Sequence, residues 1–329
     1  MNIAVIGAGS WGTTLADMLA AKGLDVTLWV REMALLAEIK SHGENTWYMP
    51  GMKLAPNLKV SMDPAQACAG KDLFLFAVPS QFFRQVLGSF RDHLPKSPVV
   101  VCASKGLELS THMTMSEVCQ DVLGGKSPRY AVLSGPSFAY EVIRRKPTAV
   151  SLGCKDKIAK AVQEVFATSY FRVYTNPDVK GVELGGAVKN IIAIAAGVSD
   201  ELGFGNNARA ALITRGLAEM SRLGRELKAD PKTFMGLSGL GDLVLTCTGD
   251  LSRNRQVGRR LAQGQKLLDI LGEMKMVAEG VKTTEAVHAM AGKRGVDLPI
   301  TAQVNAVLYE GKDPEQAVRE LMARVLKDE

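Results

Sequence analysis

Lys189 lies in the middle of an apolar segment, which is an unusual place for a charged side chain. Residues 183–197 read ELGGAVKNIIAIAAG, a pattern that predicts a buried helix. Lysine is almost never fully buried without a partner, and each glycine costs a helix about 1 kcal/mol relative to alanine. Gly185, Gly186 and Ala193 lie three or four residues from the lysine and share its helix face. This face indicates either tight helix packing or a site where a ligand reaches an acid–base group.

Two later segments carry polar residues that fit such a ligand site. Residues 236–243 form a glycine-rich stretch that delivers Asp242, either as a helix N-cap or as the partner of the buried lysine. Ser252 is expected to cap a helix whose first turn holds Arg253 and Asn254. A cation in a first turn opposes the helix dipole, so a bound anion such as a phosphate would explain the arginine. A solvated basic face is the alternative.

The N-terminal residues match the pattern G-x-G-x-x-G in the context that gives it meaning. Gly7, Gly9 and Gly12 follow an apolar strand and precede a helical segment. In a dinucleotide-binding turn the first glycine permits the tight turn and the second lets the backbone approach a pyrophosphate. The third glycine allows the helix to pack closely on the strand. A glycine turn without a ligand is the alternative, and the strand–turn–helix context argues against it.

The end of the second predicted strand bears on the choice between NAD and NADP. An NAD site places an acidic residue here to bind the ribose hydroxyls, whereas an arginine can pair with the 2′-phosphate of NADP. The strand ends with Trp29 and Val30, and Arg31 comes before Glu32. NADP is therefore the expected cofactor, with NAD as an alternative because of the adjacent glutamate.

Three further strand ends carry unusual residues, and ligands of open α/β sheets bind at such ends. The predicted fourth, fifth and sixth strands lead into VPSQ at 78–81, ASKG at 103–106 and SGPSFA at 134–139. A rigid strand places Lys105, which favours a functional role over that of a solvated lysine. Gly135 and Ser137 either donate hydrogen bonds to a phosphate or hydroxyl group or form a plain turn.

Hydrophobic patterning divides the chain into an N-terminal α/β half and a C-terminal helical half. Up to about residue 178, short apolar runs alternate with helical patterns, which is typical of a doubly wound sheet. The predicted strands are Asn2–Ile6, Asp25–Trp29, Leu58–Ser61, Leu73–Ala77, Val99–Cys102, Tyr130–Leu133, Thr148–Leu152 and Phe171–Tyr174. The helices predicted beyond residue 178 are 180–200, 207–224, 230–235, 253–263, 266–272, 282–294, 299–310 and 314–327.

These patterns predict an α/β protein with a Rossmann-type dinucleotide-binding domain at 1–178 and an all-α substrate-binding domain at 179–329. The last predicted helix opens with Asp313 as its cap and proline in its first position, and Gln316 is expected to close a capping box.

Composition narrows the class of protein. The 329 residues carry a formal net charge of +6, but no basic run is interleaved with aromatic residues. An anionic small substrate is therefore expected rather than nucleic acid. Five cysteines and four histidines show no metal or redox spacing, so reduced core thiols and no metal site are expected. The sequence shows no membrane-spanning run and no secretory signal, so a cytoplasmic protein is expected, with a homodimer as a candidate assembly.

Together these motifs resemble the bacterial-type NAD(P)-dependent glycerol-3-phosphate dehydrogenases. The resemblance runs along the whole chain: GAGSWGT at 7–13, VPSQ at 78–81, SKGLE at 104–108, SGPSFA at 134–139, ELGGAVKN at 183–190, GLSGLGDL at 236–243, SRNRQVG at 252–258 and VAEGVKT at 277–283. It implies a Rossmann domain followed by a helical substrate domain. It also implies the interconversion of dihydroxyacetone phosphate and sn-glycerol 3-phosphate, which supplies phospholipid synthesis.

The resemblance also implies roles for individual residues. Lys189 is the implied catalytic acid–base group. The implied substrate contacts are Lys105, Gly135, Ser137, Lys189, Asp242, Ser252, Arg253 and Asn254. Beside Gly7, Gly9 and Gly12, the implied cofactor contacts are Ser10, Trp11, Arg31, Lys105, Ala139, Arg253, Val277 and Glu279.

Two other functions fit parts of the sequence. A hydroxyacid or ketopantoate reductase would also combine a dinucleotide domain with a lysine in its linking helix. The helix start at 252–254 favours a phosphate-bearing substrate over that function. An NADP-sensing binding module would need the glycine loop but has no use for Lys189 and Asp242.

Overall fold

The computed structural model describes residues 1–274 and 276–326, which form two compact units. Unit 1 comprises Met1–Lys105 and Met113–Glu183, and unit 2 comprises Gly106–His112 and the described residues from Leu184 onward. The chain therefore passes from unit 1 to unit 2 within a helix. The domain boundary expected between residues 178 and 179 stays a prediction.

Unit 1 contains an eight-stranded sheet in the order β3-β2-β1-β4-β5-β6-β7-β8. Its strands are β1 (Ile3–Ile6), β2 (Val26–Trp29), β3 (Lys59–Ser61), β4 (Leu73–Phe76), β5 (Val99–Cys102), β6 (Arg129–Ser134), β7 (Thr148–Gly153) and β8 (Phe171–Asn176). All eight predicted strands are present. Neighbouring strands are parallel except β6 and β7, which run antiparallel. The strand order reverses direction between β1 and β4, where ligands of doubly wound sheets bind.

Helices cover both faces of this sheet. They are α1 (Ser10–Ala21), α2 (Met33–His42), α3 (Pro64–Cys68), α4 (Ser80–Phe90), α5 (Met115–Leu123), α6 (Ala139–Ile143) and α7 (Ala159–Phe166). Alternate strand residues enter two separate cores: Val5 and Leu75 pack on one side, Ile6 and Phe76 on the other, and all four are fully buried. Burial on both faces explains why the strands read as continuous apolar runs.

Every regular element in the described part of unit 2 is helical, although α8 begins in unit 1. The helices are α8 (Val179–Glu201), α9 (Gly205–Glu226), α10 (Pro231–Phe234), α11 (Asp242–Thr248), α12 (Arg253–Ala262), α13 (Leu267–Glu273), α14 (Glu279–Arg294), α15 (Pro299–Tyr309) and α16 (Pro314–Met322). A π-helical turn, Leu237–Gly241, leads directly into α11. The α/β fold with a helical C-terminal part is thus confirmed. The sequence did not predict α11 or the π-helical turn, because three glycines within 236–241 favour a loop.

The start of the last helix follows the prediction only in part. Asp313 caps α16 and accepts a hydrogen bond from Gln316 N at 2.9 Å. The expected capping box is wrong, because the Gln316 side chain donates to Glu320 Oε1 at 3.0 Å, one turn further along the same helix face. The helix ends at Met322. Residue 327, the predicted end, lies outside the described residues.

The long helix α8 forms the centre of the unit 2 core. By length and composition it is apolar enough to cross a membrane, but 94% of its apolar window is buried inside the fold, as in a core helix. Helix α12 crosses it at backbone distance. A Cβ on Gly197 would lie 2.0 Å from Arg255 O, and one on Gly258 would lie 1.9 Å from Ile194 O. Only glycine fits at either position without moving a backbone.

Lys22, at the C-terminal end of α1, should stabilise unit 1. Its Nζ donates to the carbonyl oxygens of Glu164, Val165 and Ala167 at 2.5, 3.0 and 2.7 Å, around the C-terminus of α7. A cation stabilises these terminal carbonyls and the negative end of the helix dipole. Lys22→Met should therefore lower the free energy of unfolding by about 1 kcal/mol, measured by urea denaturation.

Lys160→Met is the matched control, because Lys160 is an exposed lysine in the first turn of the same helix. It should change the free energy of unfolding by less than about 0.5 kcal/mol. Equal effects of the two substitutions would show that the carbonyl contacts of Lys22 contribute nothing specific.

Candidate active site

The glycine loop between β1 and α1 is shaped by close backbone contacts. Gly7 adopts a φ of +113°, and a Cβ there would lie 2.7 Å from Ala77 O at the end of β4. A Cβ on Gly12 would lie 1.9 Å from Gly7 O. These two glycines therefore have the turn-forming and packing roles that the sequence predicted for them.

Gly9 differs from these two, because nothing lies within 4 Å of where its Cβ would be. It is the N-cap residue of α1, and no side chain caps this helix end. The first N–H groups of a helix and the positive end of its dipole form a ready site for an anion. The open space at Gly9 thus fits the pyrophosphate of a dinucleotide.

Ser10 and Trp11 are the first two residues of α1, so their backbone N–H groups belong to this helix end. The Trp11 ring packs towards Phe171, with ring centroids 6.4 Å apart. Its Nε1 is buried and has no hydrogen-bond partner among the described residues. The backbone N–H of Trp11 therefore lies at the helix end, whereas its indole packs inside the fold.

Arg31 lies immediately beyond β2 and pairs with its neighbour. Its Nη2 and Nε lie 2.6 and 2.8 Å from Glu32 Oε1. The Arg31 side chain is 69% exposed, so the pair contributes little stability and can open for a better anion. The position suits a residue that selects between a ribose hydroxyl and a 2′-phosphate.

The loops after β4, β5 and β6 are linked by side-chain hydrogen bonds. Ser104 Oγ donates to Val78 O at 2.5 Å, and Lys105 Nζ donates to Gly135 O at 3.1 Å. Ser137 Oγ donates to the same Gly135 carbonyl at 3.0 Å. The predicted residues Lys105, Gly135 and Ser137 are thus brought together.

Gly135 and Ala139 complete this group of loops. A Cβ on Gly135, whose φ is +142°, would lie 2.9 Å from Val150 Cα, so the position requires glycine. The carbonyl of Ala139, at the start of α6, accepts a hydrogen bond from Thr14 of α1 at 3.4 Å. The predicted cofactor residue Ala139 therefore lies beside the helix that follows the glycine loop.

Lys189 is buried and paired, as a lysine in an apolar helix must be. Its side chain is 7% exposed, and its Nζ lies 2.5 Å from Asp242 Oδ1, whose side chain is 1% exposed. Asp242 is the first residue of α11, whose N-cap is Gly241. Of the two roles that the sequence left open for Asp242, the structure shows the pairing with Lys189.

Thr246 is a member of this group that the sequence analysis missed. Its Oγ1 accepts a hydrogen bond from Lys189 Nζ at 2.8 Å and donates to the Asp242 carbonyl at 2.6 Å. The sequence spacing could have indicated Thr246, because in a helix a residue four positions after Asp242 lies on the same face as Asp242. Reading 236–243 as a turn concealed it.

Gly185, which precedes Lys189 by about one helical turn, lies against the backbone of another segment. A Cβ on Gly185 would lie 2.4 Å from Ser238 O and 3.4 Å from Gly239 Cα. Gly185 therefore makes room for the backbone of the π-helical turn. The close approach of that turn places α11, which carries Asp242 and Thr246, beside the lysine.

The start of α12 joins the same group of helices. Ser252 caps it, as predicted, and accepts a hydrogen bond from Arg255 N at 3.3 Å. Asn254 Nδ2 donates to Asn190 Oδ1 at 2.9 Å, and Asn254 Oδ1 accepts from Gly280 N at 2.9 Å. Asn190 follows Lys189 directly, so Asn254 is tied to the helix that carries the lysine. The sequence analysis did not identify Asn190.

Arg253 connects the α12 start to the segment before α14. Its Nη1 donates to Val277 O at 2.8 Å. Burial lowers the pKa of Arg253, and the negative charge of Glu279, the first residue of α14, opposes that change. The predicted residues Arg253, Val277 and Glu279 are therefore neighbours in unit 2.

The five cysteines are not reactive thiols, because burial raises the pKa of each of them. All five cysteines are free thiols in buried positions, as predicted. Burial raises the pKa of Cys247, close to Lys189 in unit 2, to about 12, so it stays protonated near neutral pH. The described residues contain no group of three or more His, Cys, Asp or Glu side chains that could hold a metal ion.

Comparison with known families identifies the family to which the chain belongs. The family model for the NAD-dependent glycerol-3-phosphate dehydrogenase N-terminus matches residues 2–160, and the model for its C-terminus matches residues 178–319. The chain belongs to the NAD-dependent glycerol-3-phosphate dehydrogenase family. Curated relatives named glycerol-3-phosphate dehydrogenase (NAD(P)+) include those of Solidesulfovibrio magneticus, at 68% identity, and Maridesulfovibrio salexigens, at 60%. In both comparisons the match covers 100% of each chain.

Solved structures of the same family share this fold. The glycerol-3-phosphate dehydrogenase of Coxiella burnetii is 42% identical, with a TM-score of 0.94 over 98% of this chain and 99% of that one. The enzyme of Saccharomyces cerevisiae is 27% identical, with a TM-score of 0.84 over 98% and 99% of the two chains. A ketopantoate reductase from Ralstonia eutropha, at 15% identity and a TM-score of 0.59, shares the fold alone.

Substitution by alanine should have different effects at Gly9 and at Gly12 of the N-terminal glycine loop. Gly9→Ala places a methyl group in open space at the helix start, so the melting temperature should stay constant. The same methyl group should obstruct the pyrophosphate and raise the Kd for NADPH by about tenfold or more, measured by fluorescence titration.

Gly12→Ala is the matched variant, because its methyl group would meet the Gly7 carbonyl. It should lower the free energy of unfolding by about 1–3 kcal/mol through overpacking. If Gly9→Ala binds NADPH as tightly as the wild type, Gly9 does not lie at the cofactor site.

Proposed function

We propose that this chain catalyses the NAD(P)H-dependent, reversible reduction of dihydroxyacetone phosphate to sn-glycerol 3-phosphate, which feeds glycerophospholipid synthesis. Full-length curated relatives at 60–68% identity bear the name of this enzyme. The observation that carries the chemistry is the buried group of Lys189, Asp242 and Thr246. A binding module would have no use for an ammonium group buried in this way.

Residues of unit 1 would hold the dinucleotide. Gly9 and the start of α1 fit its pyrophosphate, and Arg31 fits a 2′-phosphate, so we propose NADP as the preferred cofactor with NAD as an alternative. The reduced nicotinamide, when bound, supplies the hydride that reaches C2 of the substrate. Ala139 and Lys105 stay predicted contacts in unit 1, and Arg253, Val277 and Glu279 stay predicted cofactor contacts in unit 2.

Lys189 would be the general acid in the direction of reduction. Its Nζ donates a proton to the C2 oxygen as that oxygen gains negative charge, and it accepts the hydroxyl proton in the reverse direction. Asp242 and Thr246 fix the Nζ position, because each holds it by a hydrogen bond. The Asp242 carboxylate also stabilises the ammonium form that must be present before the proton is given.

The start of α12 would bind the substrate phosphate. Arg253 offers a guanidinium group, whose donors match phosphate geometry. Asn254 would contact the phosphate through its side-chain NH2 group, because its Oδ1 already accepts a hydrogen bond from Gly280 N. Ser252 would contribute as the cap that forms the helix end. In unit 1, Lys105, Gly135 and Ser137 stay predicted substrate contacts.

The proposal extends to partners and location. We propose a cytoplasmic enzyme that acts on a small anionic substrate, has no nucleic-acid partner and assembles as a homodimer. The modest positive charge is consistent with a phosphate-bearing substrate. Size-exclusion chromatography with light scattering would measure the mass of the assembly.

Oxidation of NADPH, followed at its absorbance band, tests the activity. Dihydroxyacetone phosphate should support turnover, whereas unphosphorylated keto acids such as ketopantoate should not, because they lack the phosphate for Arg253. Lys189→Met should lower kcat by at least about a thousandfold, since it removes the proton donor. The Kd for NADPH should change by less than about twofold, because the glycine loop is untouched. Near-normal turnover in this variant would remove Lys189 from the mechanism.

The exposed arginine after β2 should set the cofactor preference. Arg31→Asp removes the partner of the 2′-phosphate and adds a repelling charge, so the KM for NADPH should rise by about tenfold or more. The KM for NADH should change much less, because NADH has no phosphate at that position. Equal changes in both constants, measured with saturating dihydroxyacetone phosphate, would contradict the assignment.

A further inference from the structure

The first turns of α8 carry a buried carboxylate that the proposed mechanism does not use. Glu183 is 5% exposed. Its Oε1 accepts hydrogen bonds from Ser116 N and Tyr130 Oη, both at 2.7 Å. Its Oε2 accepts a third hydrogen bond from Ser116 Oγ at 2.7 Å. All of these groups belong to unit 1.

The start of α5 and three donors favour a carboxylate over an amide at this position. Ser116 is in the first turn of α5, where backbone N–H groups lack helical acceptors and the dipole favours negative charge. Burial raises the pKa of Glu183, while the hydrogen bonds from Tyr130 and Ser116 oppose that change. A glutamine could keep the two hydrogen bonds at Oε1 only by pointing its NH2 group at Ser116 Oγ, which would then have to accept instead of donate. The negative charge at the start of α5 would also be lost.

Two further contacts hold the same turns of α8 in place within unit 1. A Cβ on Gly153, at the end of β7, would lie 3.1 Å from Val182 Cβ and 3.2 Å from Val179 Cα, so the helix start lies directly on this glycine. Lys180 Nζ forms an ion pair with Glu117 Oε1 of α5 at 2.9 Å, and this pair is partly exposed. The hydrogen bonds of Glu183 are buried, whereas the Lys180–Glu117 ion pair is partly exposed.

We propose that Glu183 is a positioning residue that acts on Lys189 through α8. Lys189 lies six residues further along the same continuous helix. That separation is about 9 Å along the helix axis. A helix is stiff over this length, so a shift or tilt of the turn that holds Glu183 displaces the Lys189 ammonium group. Misplacement of a reacting group by about 1 Å can lower a rate about a hundredfold. This inference rests on the proposed function, because it gives Glu183 its role through the acid–base lysine.

Glu183→Gln tests the proposal, with Lys180→Met as the matched control that removes the exposed contact between the same two helices. Turnover of dihydroxyacetone phosphate is measured per NADPH-binding site, so that unfolded protein does not count. Glu183→Gln should lower kcat by about ten- to a hundredfold. Lys180→Met should change kcat by less than about twofold. The Kd for NADPH should stay within about twofold in both variants, because the glycine loop is not altered.

Tyr130→Phe is a second, milder variant that keeps the carboxylate and removes one hydroxyl donor. It should lower kcat by about threefold or more at unchanged Kd for NADPH, in proportion to one lost hydrogen bond. It decides the question if Glu183→Gln does not fold.

Three results would overturn the proposal. Unchanged kcat per binding site in Glu183→Gln, or in Tyr130→Phe if the first variant is unfolded, would show that the cluster only stabilises the fold. An equal loss of kcat in Lys180→Met would show that any contact between α5 and α8 has the same effect. A wild-type protein that binds NADPH but does not reduce dihydroxyacetone phosphate would instead overturn the proposed function, and this inference with it.

Discussion

The requirement that a buried ammonium group be paired determines how unit 2 is built around its candidate site. Lys189 lies in the most buried helix of the unit, and Asp242 and Thr246 supply its partners from α11. Removing one partner of such a pair would cost about 3–5 kcal/mol, so the two helices must meet at this point. The same approach depends on Gly185, which leaves room for the Ser238 backbone. Gly185, which weakens α8 as an isolated helix, is therefore needed for the pairing.

Close backbone approach recurs at several places beside the candidate site residues. Gly7 and Gly12 bring the first helix onto the sheet, and Gly197 and Gly258 bring α12 onto α8. Gly280 lies between Asn190 and Asn254. A Cβ on Gly280 would lie 2.7 Å from both Asn190 O and Asn254 Oδ1. In each case a side chain would separate two elements by more than the site tolerates. Gly9 is the exception that has open space, and it faces the proposed pyrophosphate.

Much of this architecture could be predicted because it depends on local patterns. The eight strands are continuous apolar runs, and the eight predicted C-terminal helices have periodic apolar faces or strong caps. Two different causes explain the residues that were missed at the candidate site. Residues 236–243 read as a glycine-rich turn, yet Leu237–Gly241 and Asp242–Thr248 are helical where they pack against α8, so tertiary contacts override weak propensity. Thr246 was missed for that reason, and Asn190 because its partner Asn254 lies 64 positions along the chain.

The sequence by itself determined the glycine loop, the division into an α/β half and a helical half, and a set of candidate residues for phosphate binding and proton transfer. These properties follow from residue type and short-range spacing, which a single chain displays directly. Only the tertiary structure decided between the two roles of Asp242 and between the two explanations of Gly185. It also showed that Glu183 receives its donors from α5 and β6. Contacts between distant segments depend on which surfaces meet after folding, and local spacing does not encode that choice.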